Sequence, residues 1–233
     1  MKTCKVTIVP HDIPPAFPRI PLLGPHAATN DDRIAAPDLA QRVLSESVIV
    51  EEKLDGANVS VWLDPHGWPR VAARSGKTEG DRGAQLGRVN AWLGERSERL
   101  RTLLAPGEVL YGEWLARTHT VAYDALPDLL VALDVWSDAR GFVAVDERDA
   151  RCRAADLATP PVLFRGVLGS LEALTALHAR SRFGHEPAEG LVIRLERAGL
   201  LVDRVKWLAP GFVHKSDDAW RGDNRQNQVY ATN

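Results

Sequence analysis

Apolar and polar positions alternate over several short stretches of this chain, and two longer stretches depart from that period. Residues 47–52, 58–63, 109–114, 129–135, 142–145, 190–195 and 200–207 read as strands, several with a period of two. Residues 85–104 carry Leu86, Val89, Trp92, Leu93, Leu100, Leu103 and Leu104 at helical spacing, with Gly83 before them and Pro106-Gly107 after, which predicts one amphipathic helix. A second helix is expected over 170–180, with Ser170 as its N-cap. Strands outnumber helices and do not alternate with them, so the expected class is α+β: antiparallel sheets with flanking helices, not a doubly wound parallel sheet. Residues 11–38, with several prolines and the polar run Thr29-Asn30-Asp31-Asp32, have no period and read as an irregular arm. The pattern divides the chain into an N-terminal arm packed on the domain (1–46), a central domain (47–210) and a short C-terminal tail (211–233).

With 233 residues and 45% apolar content, the chain can bury a core of its own. No apolar run approaches the ~18 residues of a membrane span, and Met1-Lys2-Thr3-Cys4-Lys5 leads into prolines, so a cytoplasmic protein without a membrane partner is expected. Two cysteines, Cys4 and Cys152, exclude a disulfide framework and a cysteine-rich zinc site. The seven histidines show no metal spacing and pair with no convincing nucleophile. A net charge of -2 does not advertise a basic face. Its distribution says more, because eight basic residues stand against four acidic ones between Arg70 and Arg101. For the 95–101 stretch, ion pairs along a solvated helix face explain them. For Arg74, Lys77 and Arg82, in a glycine-rich loop, contact with nucleic-acid phosphate explains them better.

The chemistry begins at Glu52-Lys53-Leu54-Asp55-Gly56-Ala57-Asn58. Two strands flank an Asp-Gly turn, which places Lys53 where a rigid strand meets a loop. By itself this is also a surface lysine before a hairpin. Downstream stand Arg74-Ser75-Gly76-Lys77, Leu110-Tyr111-Gly112-Glu113-Trp114, Val131 to Trp136, Glu189-Gly190-Leu191-Val192-Ile193-Arg194 and Arg204-Val205-Lys206-Trp207. In this order the segments resemble motifs I, Ia, III, IIIa, IV and V of the covalent nucleotidyltransferases, the superfamily of RNA ligases, DNA ligases and mRNA capping enzymes. Phe17-Pro18-Arg19-Ile20-Pro21 and Trp220 resemble RNA ligase flanks with less specificity.

The resemblance implies an adenylation domain of ATP-grasp-like ligase fold, with the nucleotide in a groove between two sheets. It implies ATP and Mg²⁺ (or Mn²⁺) as cofactors, and RNA, as a nicked duplex or broken ends, as the partner to be repaired. Lys53 would take AMP from ATP, and Lys206 and Arg204 would form a cationic neighbourhood that lowers its pKa and stabilises the phosphate charge. Glu113 and Glu189 stand at the ends of apolar strands, where a carboxylate is costly unless paired or bound to metal. By resemblance Glu113 contacts the ribose or a metal, Glu189 binds a divalent ion directly or through water, Asn58 orients a metal-bound water, Arg74 holds a phosphate, Glu52 adjoins the nucleotide, and Lys77 and Arg82 meet the nucleic acid. The bland alternatives are a surface ion pair of Glu189 with Arg194 and a solvated basic edge at Arg204 and Lys206.

Asn58 ends motif I as in nick-sealing phage-type RNA ligases, where DNA ligases and capping enzymes typically carry arginine. Two positions depart from the pattern. Leu133 stands where an aromatic ring usually stacks on the base, which implies either a looser grip on adenine or another ring such as Trp136 in that role, and Arg204 replaces a lysine. An ATP-dependent RNA ligase is the first reading. A DNA nick ligase and a non-catalytic nucleotide- or RNA-binding module are the alternatives. The sequence after Trp207 is expected to hold neither an OB-fold nor a helical domain, which leaves room for a protein partner that supplies one.

Overall fold

The computed structural model describes residues 13–24, 32–74, 86, 88–213 and 225–230. Cys4, the run at 29–31, Ser75, Gly76, Lys77, Arg82, Gly83, Gln85 and Trp220 lie outside the described residues. Among those described, nine strands make two antiparallel sheets. The first has the order β7 (Val162–Val167), β1 (Ser47–Lys53), β8 (Gly190–Arg197), β9 (Leu200–Leu208). The second has the order β3 (Pro69–Ala73), β2 (Ala57–Leu63), β4 (Glu108–Trp114), β5 (Leu130–Ser137), β6 (Gly141–Phe142). The α+β class expected from the pattern is the class observed.

Each sheet has its own core. Val48, Val50, Leu191, Ile193, Leu195, Val205 and Trp207 of the first pack against Val43 of α1 (Pro37–Ser45) and Leu174 of α5 (Leu171–Thr175). Val59, Val61, Leu110, Trp114, Ala132 and Val135 of the second pack against α2 (Val89–Glu95), α3 (Ser97–Leu103) and Cys152 of α4 (Val145–Ala154). Burial pushes the Cys152 thiol up to about 12, as for an inert core cysteine.

The helix expected over 85–104 is broken at Arg96, which has φ -111 and ψ 9. That side chain is pinned to Asp128 by Nε at 2.8 Å and Nη2 at 3.2 Å, and it lies over the Trp92 ring. The helix that Ser170 caps, its Oγ accepting from Ala173 N at 3.2 Å, stops at Thr175 and not at Arg180. Phe142 is in a strand as expected, but Val145 opens a helix. α1 begins inside the segment read as irregular, because Pro37 occupies a first-turn position, where its fixed φ favours a helix.

The Asp55-Gly56 turn corrects the hairpin reading. β1 and β2 belong to different sheets, so the chain crosses from one to the other at this point. Gly56 is needed for close approach: a Cβ there would lie 2.6 Å from Leu115 Cδ2 and 2.7 Å from the Trp114 carbonyl oxygen.

Candidate active site

The crossing leaves a cleft of about 470 Å³ with walls from both sheets. β1, β8 and β9 contribute Glu51, Glu52, Lys53, Val192, Arg194 and Lys206, and the second sheet contributes Asn58, Glu113, Leu133 and Asp134. Leu54, Asp55 and Gly56 of the crossing, Arg74 after β3, Glu189 before β8 and the arm residues Phe17, Pro18 and Ile20 complete much of the rest.

Lys53 Nζ lies 2.7 Å from Glu189 Oε2. Glu189 is fully buried because Gly190, directly after it, lets β8 close on β9; a Cβ at Gly190 would lie 2.1 Å from the Trp207 carbonyl oxygen. Burial pushes the Glu189 carboxyl up to about 8, opposed by Lys53 beside it. Burial likewise pushes the Glu113 carboxyl up to about 7, although it accepts from Gly56 N at 3.1 Å. For Lys53, burial favours the neutral amine, but Glu189, Glu113 and Asp55 outweigh it and raise the pKa above its ordinary value. The expected cationic neighbourhood is therefore a carboxylate neighbourhood.

Among the described residues no three His, Cys, Asp or Glu side chains gather to enclose a metal ion. Glu189 and Glu113 flank Lys53 instead, and Asn58 Oδ1 is buried without a hydrogen-bond partner while its Nδ2 lies 3.4 Å from the Gly112 carbonyl. Two carboxylates and a spare amide oxygen suit a hard cation that brings most of its ligands with it.

The remaining expected residues separate into two groups. Lys206 lines the cleft, its Nζ 2.5 Å from Asp32 Oδ1, and Arg74 stands at the rim. Partial burial and neighbouring Arg19 hold the Arg74 pKa down, with Glu113 opposing. Glu52 faces the cleft with its carboxylate engaged by the Ser181 hydroxyl and by Arg182 N at 2.8 Å. Arg204 is absent from the cleft lining. Its guanidinium lies between the Phe17 and Phe142 rings, 4.3 Å from each centroid, and donates to Asp134 at 2.7 Å. Arg194 pairs with Glu51 and Asp134, not with Glu189. Glu51 accepts from Arg148 of α4 as well, and the Leu133 carbonyl accepts from Arg148 and Arg194, each at 2.8 Å. Leu133 lines the cleft, whereas Trp136 packs outside it near Phe17 and Tyr111.

Sequence reasoning marked Phe17 only as part of a flanking segment, and it missed His119 and Thr120 in the lining and Ser181 behind Glu52. His119 had a signal in its position shortly after Glu113, but no spacing rule to bring it out. Among the described residues no helix is long and apolar enough to cross a membrane.

The sequence profile of the RNA ligase family matches residues 46–208, and this range holds Lys53, Asn58, Arg74, Glu113, Glu189 and Lys206, while Phe17, Pro18 and Ile20 of the cleft precede it. The chain belongs to the RNA ligase family. Solved structures agree on the fold. A Naegleria gruberi RNA ligase with PPi has a TM-score of 0.60 at 17% identity, covering 89% of this chain and 61% of its own. A mutant of that ligase with AMP and Mn gives 0.58 at 17% identity, covering 81% and 55%, and one with ATP and Mn gives 0.56 at 17%, covering 79% and 54%. This RNA ligase family member thus spans about three fifths or less of those chains. None of the curated proteins is a significant sequence match.

Proposed function

We propose that this protein is an ATP-dependent RNA ligase that joins 5′-phosphate to 3′-hydroxyl ends through AMP carried on Lys53. One observation carries the reading: the Lys53 amine faces a fully buried carboxylate, Glu189, at 2.7 Å inside a cleft walled by two sheets. In the first transfer Nζ attacks the α-phosphorus of ATP, an N–P bond forms, the bond to the β-phosphate oxygen breaks and pyrophosphate leaves. The amine proton has a path along the hydrogen bond to Glu189. In the second, an oxygen of the RNA 5′ phosphate attacks the same phosphorus and Lys53 departs as an amine. In the third, the 3′ hydroxyl attacks the RNA phosphorus and AMP leaves. Lys206 and Arg74 are the cations positioned to stabilise phosphate charge. Arg204 acts behind them by holding Asp134.

The fold neighbours with ATP and Mn, or AMP and Mn, support a divalent ion as a cofactor here. Glu189, Glu113 and Asn58 Oδ1 would hold it together with the nucleotide phosphates, and when bound it would neutralise phosphate charge. Asn58 at the end of the Lys53 segment supports RNA over DNA.

Incubation with ATP labelled at the α-phosphate and Mg²⁺ should leave label on the wild-type chain and none on Lys53→Ala. The same variant should still seal RNA that already carries AMP on its 5′ phosphate, since that step does not use the amine as nucleophile. Label on Lys53→Ala would sink the lysine assignment, and better sealing of nicked DNA than of nicked RNA would overturn the substrate assignment.

A further inference from the structure

The turn after Lys53 passes between sheets, so neither sheet's ladder fixes it from both sides. Asp55 supplies the missing constraint. Its Oδ2 accepts from Thr120 N at 2.6 Å and Val121 N at 2.8 Å, and its own N–H donates to the Tyr123 hydroxyl at 2.8 Å. Asp55 and Tyr123 are 3% and 2% exposed, so these bonds are sheltered from water.

The loop that grips Asp55 is itself gripped from the far end of the chain. Asn227 Nδ2 donates to the Leu115 carbonyl at 2.8 Å and the Arg117 carbonyl at 3.1 Å. Its Oδ1 accepts from Thr118 Oγ1 at 2.8 Å and Tyr123 N at 2.9 Å. Both donors and both acceptor positions of a buried amide are thus used on one loop. Backbone bonds flank it: Thr118 N to Arg225 O at 3.1 Å, Gln228 N to Tyr123 O at 2.9 Å, and Tyr230 N to Leu126 O at 2.8 Å.

We propose that residues 225–230 form a positioning strap for Lys53, in which Asn227 holds the 115–123 loop and Tyr123 and Asp55 hold the turn beneath the amine. The proposal rests on the reading of Lys53 as the AMP acceptor. Tyr123 and Asn227 do not line the cleft, so they act through the turn and are positioning residues. Attack on phosphorus depends steeply on where Nζ sits, because a misplacement of about 1 Å can cost about a hundredfold in rate. Sealing of a pre-adenylated end does not use that amine as nucleophile and should be far less sensitive.

The test compares the two reactions in the whole 233-residue chain. Tyr123→Phe keeps the ring that packs with Leu54, Leu115 and Val131 and removes only the acceptor for Asp55 N. Expected are self-labelling slowed about tenfold or more at saturating ATP, and KM for ATP and sealing of pre-adenylated RNA each within about twofold of wild type. Asn227→Ala should give the same split, with circular dichroism confirming a folded chain. Equal loss in both reactions, or loss in neither, would overturn the strap. A wild type that never labels would remove the Lys53 reading and the strap together, a result read without any variant.

Discussion

At the scale of single residues, strand ends and the family resemblance together marked groups that the structure brings to the cleft. Lys53, Asn58, Glu113 and Glu189 sit at or beside strand ends, and strand ends aim side chains at whatever lies between the sheets. Arg204 and Lys206 stand two apart on one strand face, yet only Lys206 reaches the cleft, because Phe17 and Phe142 enclose the arginine. That enclosure depends on an arm far away in sequence, which no local period reveals. Glu113 offers a test of the charge balance. Its folded value of about 7 lies above the ordinary 4.5, so the folded state binds the proton more tightly than the unfolded chain. The stability this contributes is present in full below about pH 4.5 and is lost as pH rises through about 7. Glu113→Gln keeps an acceptor for Gly56 N without the charge. In metal-free buffer it should melt close to wild type at pH 5 and above it at pH 8.5, by on the order of 2 kcal/mol. A variant less stable than wild type at pH 8.5 would mean the ionised carboxylate is well solvated.

At the scale of elements, most strands were legible because one or both faces are apolar, and α4 was not, for a definite reason. Its inward face consists of Val145, Arg148 and Cys152, so a buried arginine takes the place of an apolar residue in the stripe. Arg148 can lie there because Glu51 meets it, and burial, which would raise the Glu51 pKa, is outweighed by Arg194 and Arg148. The same set of charges ties β1 and α4 to β5, β8 and β9 through Asp134, which accepts from Arg194 and Arg204 at 2.7 Å each. Removing one partner from such a buried group strands the others, at about 3–5 kcal/mol. Asp134→Ala should therefore lower the melting temperature by roughly 10 °C. Arg140→Ala breaks a pair with Glu147 whose arginine is about half exposed, and should change it by no more than about 3 °C. Similar small shifts for both would show that the network adds little to stability.

At the scale of the whole molecule, α+β architecture followed from the strand count and two sheets from the family resemblance, whereas the point at which the chain passes from one sheet to the other did not. The Asp-Gly step looked like a hairpin, and only tertiary packing of Gly56 against Leu115 and Trp114 turns it into a crossing. That crossing leaves each sheet a main core of its own, with a cleft walled by both sheets. If ATP occupies the cleft as proposed, it touches both halves, and binding should stabilise them as a unit. At a ligand concentration about a hundred times Kd the gain is about 2.7 kcal/mol, or roughly 5–11 °C in a chain of this size. Lys53→Ala is the right protein for the measurement, because it cannot form the covalent adduct and reports binding alone. With ATP and Mg²⁺ its melting temperature should rise by that amount, and amide exchange should slow in β1 and β8 as well as in β2 and β4. Protection confined to one sheet would place the nucleotide on a single wall, and the cleft between the sheets would then not be the site of transfer.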